Sequence, residues 1–175
     1  LALDNNIRGS LRSIVKKDNV IIKKIDIRNK NKLENLFKRK KITDCFHLAA
    51  INGTKNFYEN PDLVLDVGIK GTLNIIELVK KYNLKKFVFF SSSEAYQKPG
   101  KIPTTESESL KVPNVFNPRF SYGGSKILGE LITINYLKNK YNWIIRVDAD
   151  EYFDDINTLV KLITQIKNVK ESVKF

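Results

Sequence analysis

The stretch "KKFVFFSSS", residues 85–93, decides the fold. Phe87, Val88, Phe89 and Phe90 form an apolar run without the alternation of a strand that has one wet face. Such a strand is covered on both sides, which suits the interior of a parallel sheet. Helical patterns flank it. "NPDLVLDVGIKGTLNIIELVKKYN" (60–83) predicts one long helix with Pro61 near its first turn, and Ser121 to about Tyr141 predicts another.

Further out the alternation continues. "NVIIKKIDI" (19–27) and "ITDCFHLAA" (42–50) predict strands, with a helix over 29–41 that places Leu33, Leu36 and Phe37 on one face. "NWIIRV" (142–147) is strand-like, and the tail from 155 to about 168 has helical spacing. Residues 97–120 hold four of the five prolines and predict a loop. Strands alternating with helices mean βαβ units, a parallel sheet and right-handed crossovers.

Composition bounds the rest. The 175 residues are 42% hydrophobic and 29% charged, enough for one folded domain. No apolar run approaches the roughly 18 residues of a membrane span, and the first ten residues lack a secretory pattern. A lone Cys45 cannot form an internal disulfide, so a cytoplasmic location is expected. The net charge of +12 comes from lysines scattered along the chain rather than gathered into a patch, so no nucleic-acid partner is expected.

In open α/β sheets ligands bind beyond the carboxyl ends of strands. Four ends carry polar or small residues. Asp4 and Asn5 follow "LAL", where an acid can accept hydrogen bonds from a ribose or simply end a strand. Asp26–Ile27 end the second strand, Leu48, Ala49 and Ala50 the third, and Ser91, Ser92 and Ser93 the fourth. His47, the only histidine, reads as a core residue. Within "RFSYGGSKILGEL" (119–131), Tyr122 and Lys126 are one helical turn apart on one face. An ammonium beside a phenol favours the phenolate and makes a usable acid/base.

In their order, "LDNN…RGS", "IDIR", "HLAA", "KGTLNIIE", "SSSEAY" and "SYGGSK" closely resemble the extended short-chain dehydrogenase/reductase family, the nucleotide-sugar epimerases and dehydratases, over about residues 1–146. The resemblance implies a Rossmann-like doubly wound sheet that binds NAD rather than NADP, a nucleotide-sugar substrate, and a homodimer. It implies catalytic roles for Ser92, Tyr122 and Lys126. Tyr122 and Lys126 would also touch the cofactor, with Asp4, Asn5, Asp26, Ile27, Leu48, Ala49 and Ala50.

Three features depart from the family pattern. Gly68 replaces an Asn, Ser93 replaces the Asp that 4,6-dehydratases place beside Glu94, and "AYQ" replaces the commoner V-Y-G. The Ser93 change favours epimerase or simple dehydrogenase chemistry. The family's first strand and glycine-rich turn have no counterpart here, so a gap in the sheet and an incomplete fold are expected.

The chain from about 147 to 175 departs from the family. Its "VDADEYFDD" resembles the metal-binding D-x-D of family 2-type glycosyltransferases. Asp148 and Asp150 are the alternative site, for a divalent metal and a nucleotide sugar.

Overall fold

The computed structural model of the protein describes residues 1–7, 9 and 19–141, with the backbone alone of Val147–Asp148. Every strand pairing among the described residues is parallel. β1 (Ala2–Asp4) pairs with β2 (Ile22–Lys24) in one sheet. β3 (Asp44–His47), β4 (Lys86–Ser91) and β5 (Val147–Asp148) form a second, with β4 in the middle. The apolar run of 87–90 therefore lies on the only strand with a neighbour on each side among those described.

The two sheets do not join. β1 and β3 both line a cavity of about 810 Å³, which runs from Leu1 and Ala2 to Cys45 and His47. This is the gap expected of a doubly wound sheet without its central strand. Two strands are shorter than predicted. Among the described residues β2 has a partner only along the three residues of β1, and its ladder closes at Ile25 N donating to Asp4 O, 3.0 Å. Among the described residues β3 is paired only with β4, and Leu48, Ala49 and Ala50 leave the ladder after His47.

The helices supply most of the core. α1 (Lys30–Arg39) starts at Asn29, whose side chain accepts from Lys32 N, and ends with Lys38 and Arg39 at the negative end of its dipole. Its Leu33, Leu36 and Phe37 are buried, as the spacing predicts. A helix the pattern missed, α2 (Thr54–Glu59), has only six residues, too few to show a period. It buries Phe57.

The single helix predicted over 60–83 is observed as three runs. α3 (Pro61–Leu65) passes through a π-helical segment, Asp66–Gly71, into α4 (Thr72–Lys81). The widened turn brings Gly68 against α5 (Ser121–Leu137) and Gly71 against Ile27. A Cβ at Gly68 would stand 2.7 Å from both Cβ and Oγ of Ser125. Gly68 thus allows a backbone approach that an Asn would block. α4 contributes Ile75, Ile76, Leu78 and Val79 to the core, which Leu33 and Leu137 complete from α1 and α5. α5 ends at Leu137 rather than near Tyr141, and the Tyr141 hydroxyl instead donates to Leu84 O at 2.7 Å.

Candidate active site

α5 places Tyr122 and Lys126 on its buried face, 3% and 4% exposed. The Lys126 ammonium lies 5.5 Å from the centre of the Tyr122 ring. It donates to Phe90 O at 2.6 Å and sits 5.2 Å from the Phe89 ring. Phe90 immediately precedes the serine triplet, so Lys126 ties the helix to the strand end where those hydroxyls emerge. Ser125 Oγ donates to Tyr122 O at 2.7 Å and stiffens the first turn.

Ser92 is 1% exposed and caps a short 3-10 turn, Ser93–Ala95, its Oγ accepting from Glu94 N at 3.2 Å. Ser91 Oγ donates to the Glu130 carboxylate of α5, a second tie between strand and helix. Gly123 completes the approach. A Cβ there would lie 2.5 Å from Glu94 O, so only hydrogen fits between Tyr122's helix and the turn that follows Ser92.

Other residues meet at this junction that spacing did not reveal. The Phe57 ring stacks on Tyr122, with centroids 5.2 Å apart and planes 14° apart. The Arg119 guanidinium lies 5.1 Å from the centre of Phe57, and its Nη2 donates to Glu94 Oε1 at 2.7 Å. The hydrogen bond to Glu94, and then the charge of that carboxylate, raise the Arg119 pKa above its ordinary value. Arg119 Nη1 and Ser121 Oγ are buried without a hydrogen-bond partner. Partners 25 residues apart, on a strand-end turn and a helix entry, leave no periodic trace in a sequence.

Six of the residues expected to touch a cofactor gather elsewhere along the strand ends. Asp4, Asn5, Ile27, Leu48, Ala49 and Ala50 all line the 810 Å³ cavity between the sheets. Ser92, Tyr122 and Lys126 are not among its lining residues. Asp4 is exposed at the end of β1, and Leu48 and Ala49 are exposed past β3. Ile27 is buried, its carbonyl accepting from Asn74 Nδ2 at 2.9 Å.

Asp26 borders the cavity's neighbour, beside Arg28 and Asp66. Its carboxylate accepts from Arg28 N, Nε and Nη2 at 2.9, 3.0 and 2.9 Å, and from Asn5 Nδ2 at 3.0 Å. The Arg28 hydrogen bonds, more than any other cause, hold Asp26 well below the usual carboxylate range. Arg28 Nη1 continues to Asp66 Oδ2 at 2.9 Å, which joins the end of β2 to the π segment.

His47 is 4% exposed and shares a hydrogen bond of 2.9 Å with Thr72 Oγ1, the satisfied core role expected of it. Burial, and then the charge of Lys126, push its pKa down to about 3. Thr72 Oγ1 donates in turn to Gly68 O at 2.6 Å, which assigns His47 Nε2 the donor role toward Thr72. Among the described residues no group of three or more His, Cys, Asp or Glu side chains could hold a metal. Of the alternative pair, Asp150 lies outside the described residues and Asp148 is described only in its backbone. No helix among the described residues is long and apolar enough to cross a membrane.

The chain matches the family profile described as GDP-mannose 4,6 dehydratase over residues 4–149. It is 34% identical over 131 residues to a bifunctional UDP-glucose 4-epimerase and UDP-xylose 4-epimerase of Pisum sativum, covering 75% of this chain and 35% of that protein. It is 36% identical over 126 residues to a UDP-glucuronate 4-epimerase of Thermodesulfobacterium geofontis, covering 72% and 37%. The chain thus spans about a third of the length of these curated relatives. Among solved structures, UDP-glucose 4-epimerase of Bifidobacterium longum in complex with NAD+ and UDP superposes with a TM-score of 0.69. The two share 27% identity over 82% of this chain and 43% of that one. The Campylobacter jejuni UDP-Glc/GlcNAc 4-epimerase, 21% identical, has the same fold with a TM-score of 0.71 over 97% and 54%. Together with the parallel, interrupted sheet, these findings make the architecture an incomplete Rossmann fold, and the chain belongs to the extended short-chain dehydrogenase/reductase family of nucleotide-sugar epimerases and dehydratases.

Proposed function

We propose that the chain is part of an NAD-dependent epimerase/dehydratase-type oxidoreductase that acts on a UDP-sugar through Ser92, Tyr122 and Lys126. One observation carries the reading. Tyr122 and Lys126 share a buried helix face, 5.5 Å from ring centre to ammonium, and Lys126 is anchored to the strand that delivers Ser92. The relatives' names supply the substrate class.

In this mechanism Tyr122 takes the proton from a sugar hydroxyl and later returns it. Lys126 holds a positive charge beside the ring and so stabilises the phenolate. Ser92 Oγ, fixed at the start of its 3-10 turn, hydrogen-bonds the same sugar oxygen. The nicotinamide supplies the hydride chemistry when bound. The residues fit that cofactor at its adenosine end. Asp4 offers an exposed carboxylate where a ribose would lie, and repels the extra phosphate of NADP. Exposed Leu48 and Ala49 leave the chain past β3 open to close approach.

Epimerisation is favoured over dehydration, because Ser93 lacks the carboxylate that the dehydratase pattern sets beside Glu94. The exposed Leu128 and Leu131 of α5, with Leu65 of α3, support the homodimer.

The test pairs NAD binding with turnover of UDP-glucose and UDP-glucuronate. NAD binding by the wild type is expected, with Tyr122→Phe lowering turnover about 10²–10⁴-fold, the range of a lost acid/base, and leaving NAD affinity unchanged. Full turnover in Tyr122→Phe overturns the assignment.

A further inference from the structure

We infer that Glu94 and Arg119 act as a positioning pair for Tyr122, with Phe57 as the plate between them and the phenol. This rests on the reading of Tyr122 as the proton carrier.

Three observations carry it. First, the ion pair bridges the two halves of the site. Glu94 lies two residues after Ser92, Arg119 three before Tyr122, and their 2.7 Å bond joins the turn after β4 to the turn, Pro118–Phe120, that enters α5. Second, the guanidinium rests on Phe57, and Phe57 lies nearly parallel against Tyr122. A shift of Arg119 is therefore passed to the phenol through a rigid ring. Phe57 itself is 2% exposed, so it has no room to absorb the movement. Third, Glu94 is held from other sides as well. Its carbonyl accepts from Gln97 Nε2 and abuts Gly123, while its N–H is taken by Ser92 Oγ. A backbone held on both its groups, with one carboxylate oxygen held by an arginine, keeps the pair in one geometry.

The pair is only about 30% exposed on each side, with side-chain values of 28% for Arg119 and 29% for Glu94. Solvent screening therefore does not erase it. The charged groups facing Tyr122 include Lys126 from its own helix, and Arg119 and Glu94 through Phe57. Lys126 is the nearer cation and sets the phenol's environment only while the ring is kept beside it.

The experiment follows the Tyr122 ring by NMR of the whole chain labelled with 13C at tyrosine Cζ, the signal being identified by its loss in Tyr122→Phe. Its titration midpoint is compared in Glu94→Gln, Arg119→Gln and Phe57→Leu. If the pair acted only through its field, loss of the cation would raise the midpoint and loss of the anion would lower it. Positioning predicts the same sign in all three, because each frees the ring from Lys126, with an upward shift of about half a unit or more. Phe57→Leu changes no charge and keeps the test open should an ion-pair variant fail to fold. In the Glu94→Gln/Arg119→Gln double variant the shift should match one single variant rather than their sum.

Opposite signs, unchanged midpoints or additive shifts overturn the proposal. The readout needs no turnover. A wild type that is inactive but shows the coupled shifts would refute the proposed function and leave the positioning pair standing. Where turnover is measurable, kcat should fall in Glu94→Gln with KM little changed, and Glu94→Asp should restore part of it.

Discussion

A Cβ built on Gly68 meets Ser125 at 2.7 Å, and through that contact the π segment and the helix of Tyr122 touch backbone to side chain. Gly68→Ala should gain helix propensity of up to about 1 kcal/mol and lose about 1–3 kcal/mol to overpacking. The net effect is expected to be destabilising by about 1–2 kcal/mol. Denaturant unfolding measures it. The Gly68→Ala/Ser125→Gly pair should show a coupling of about 1 kcal/mol or more in a double-mutant cycle. Additive losses would mean that the two helices do not meet there.

Gly123 makes a comparable contact with backbone, which cannot rotate away. Gly123→Ala is expected to push α5 from the turn after Ser92, with Glu94 O only 2.5 Å from the new carbon. Turnover should fall more than NAD affinity, since the site divides between these two elements while the adenosine end lies elsewhere. Equal losses in both would place the cofactor against Gly123.

His47 makes stability depend on pH. Its folded value is pushed to about 3 from 6.5, so between these limits the unfolded chain binds a proton that the native protein refuses. Stability should therefore rise with pH across that window, by up to about 1.4 kcal/mol per unit from this residue. In His47→Gln, which keeps a hydrogen bond to Thr72 within reach and cannot titrate, the slope should drop by nearly one proton. Urea midpoints from pH 3.5 to 7 would show it, and an unchanged slope would count against a buried neutral imidazole.

Asp26 acts in a lower window. Its carboxylate is held well below its ordinary 3.8, so its contribution is complete above that value and is lost as the pH falls below it. Asp26→Asn should cost about 1–3 kcal/mol at pH 7, since Arg28 and Asn5 lose a charged acceptor. The difference from wild type should shrink steadily as the pH falls from about 4 towards about 2. A constant difference across that range would show that Arg28 is satisfied without the Asp26 charge.

The helix face shared by Tyr122 and Lys126 was legible because a spacing of four residues fixes it by local geometry alone. The same holds for Leu33, Leu36 and Phe37 on α1, and for the apolar run of β4, where the successive Phe89 and Phe90, pointing to opposite faces, are both buried. Asp26 was legible as lying close after a strand, though β2 ends at Lys24, but not its capture by Arg28, Asn5 and, through Arg28, Asp66. Arg28 stands two residues away in plain view, yet two residues of sequence say nothing of a guanidinium turning back.

By itself the sequence determined the local periods and the order of the motifs. These follow from neighbours a few residues apart, and they name the family. Only the tertiary structure decided that Phe57 lies on Tyr122, that Arg119 holds Glu94, and that Gly68 must be glycine. Those contacts join segments 25 to 65 residues apart, and close packing of the folded chain sets them, with no trace in the period of either segment.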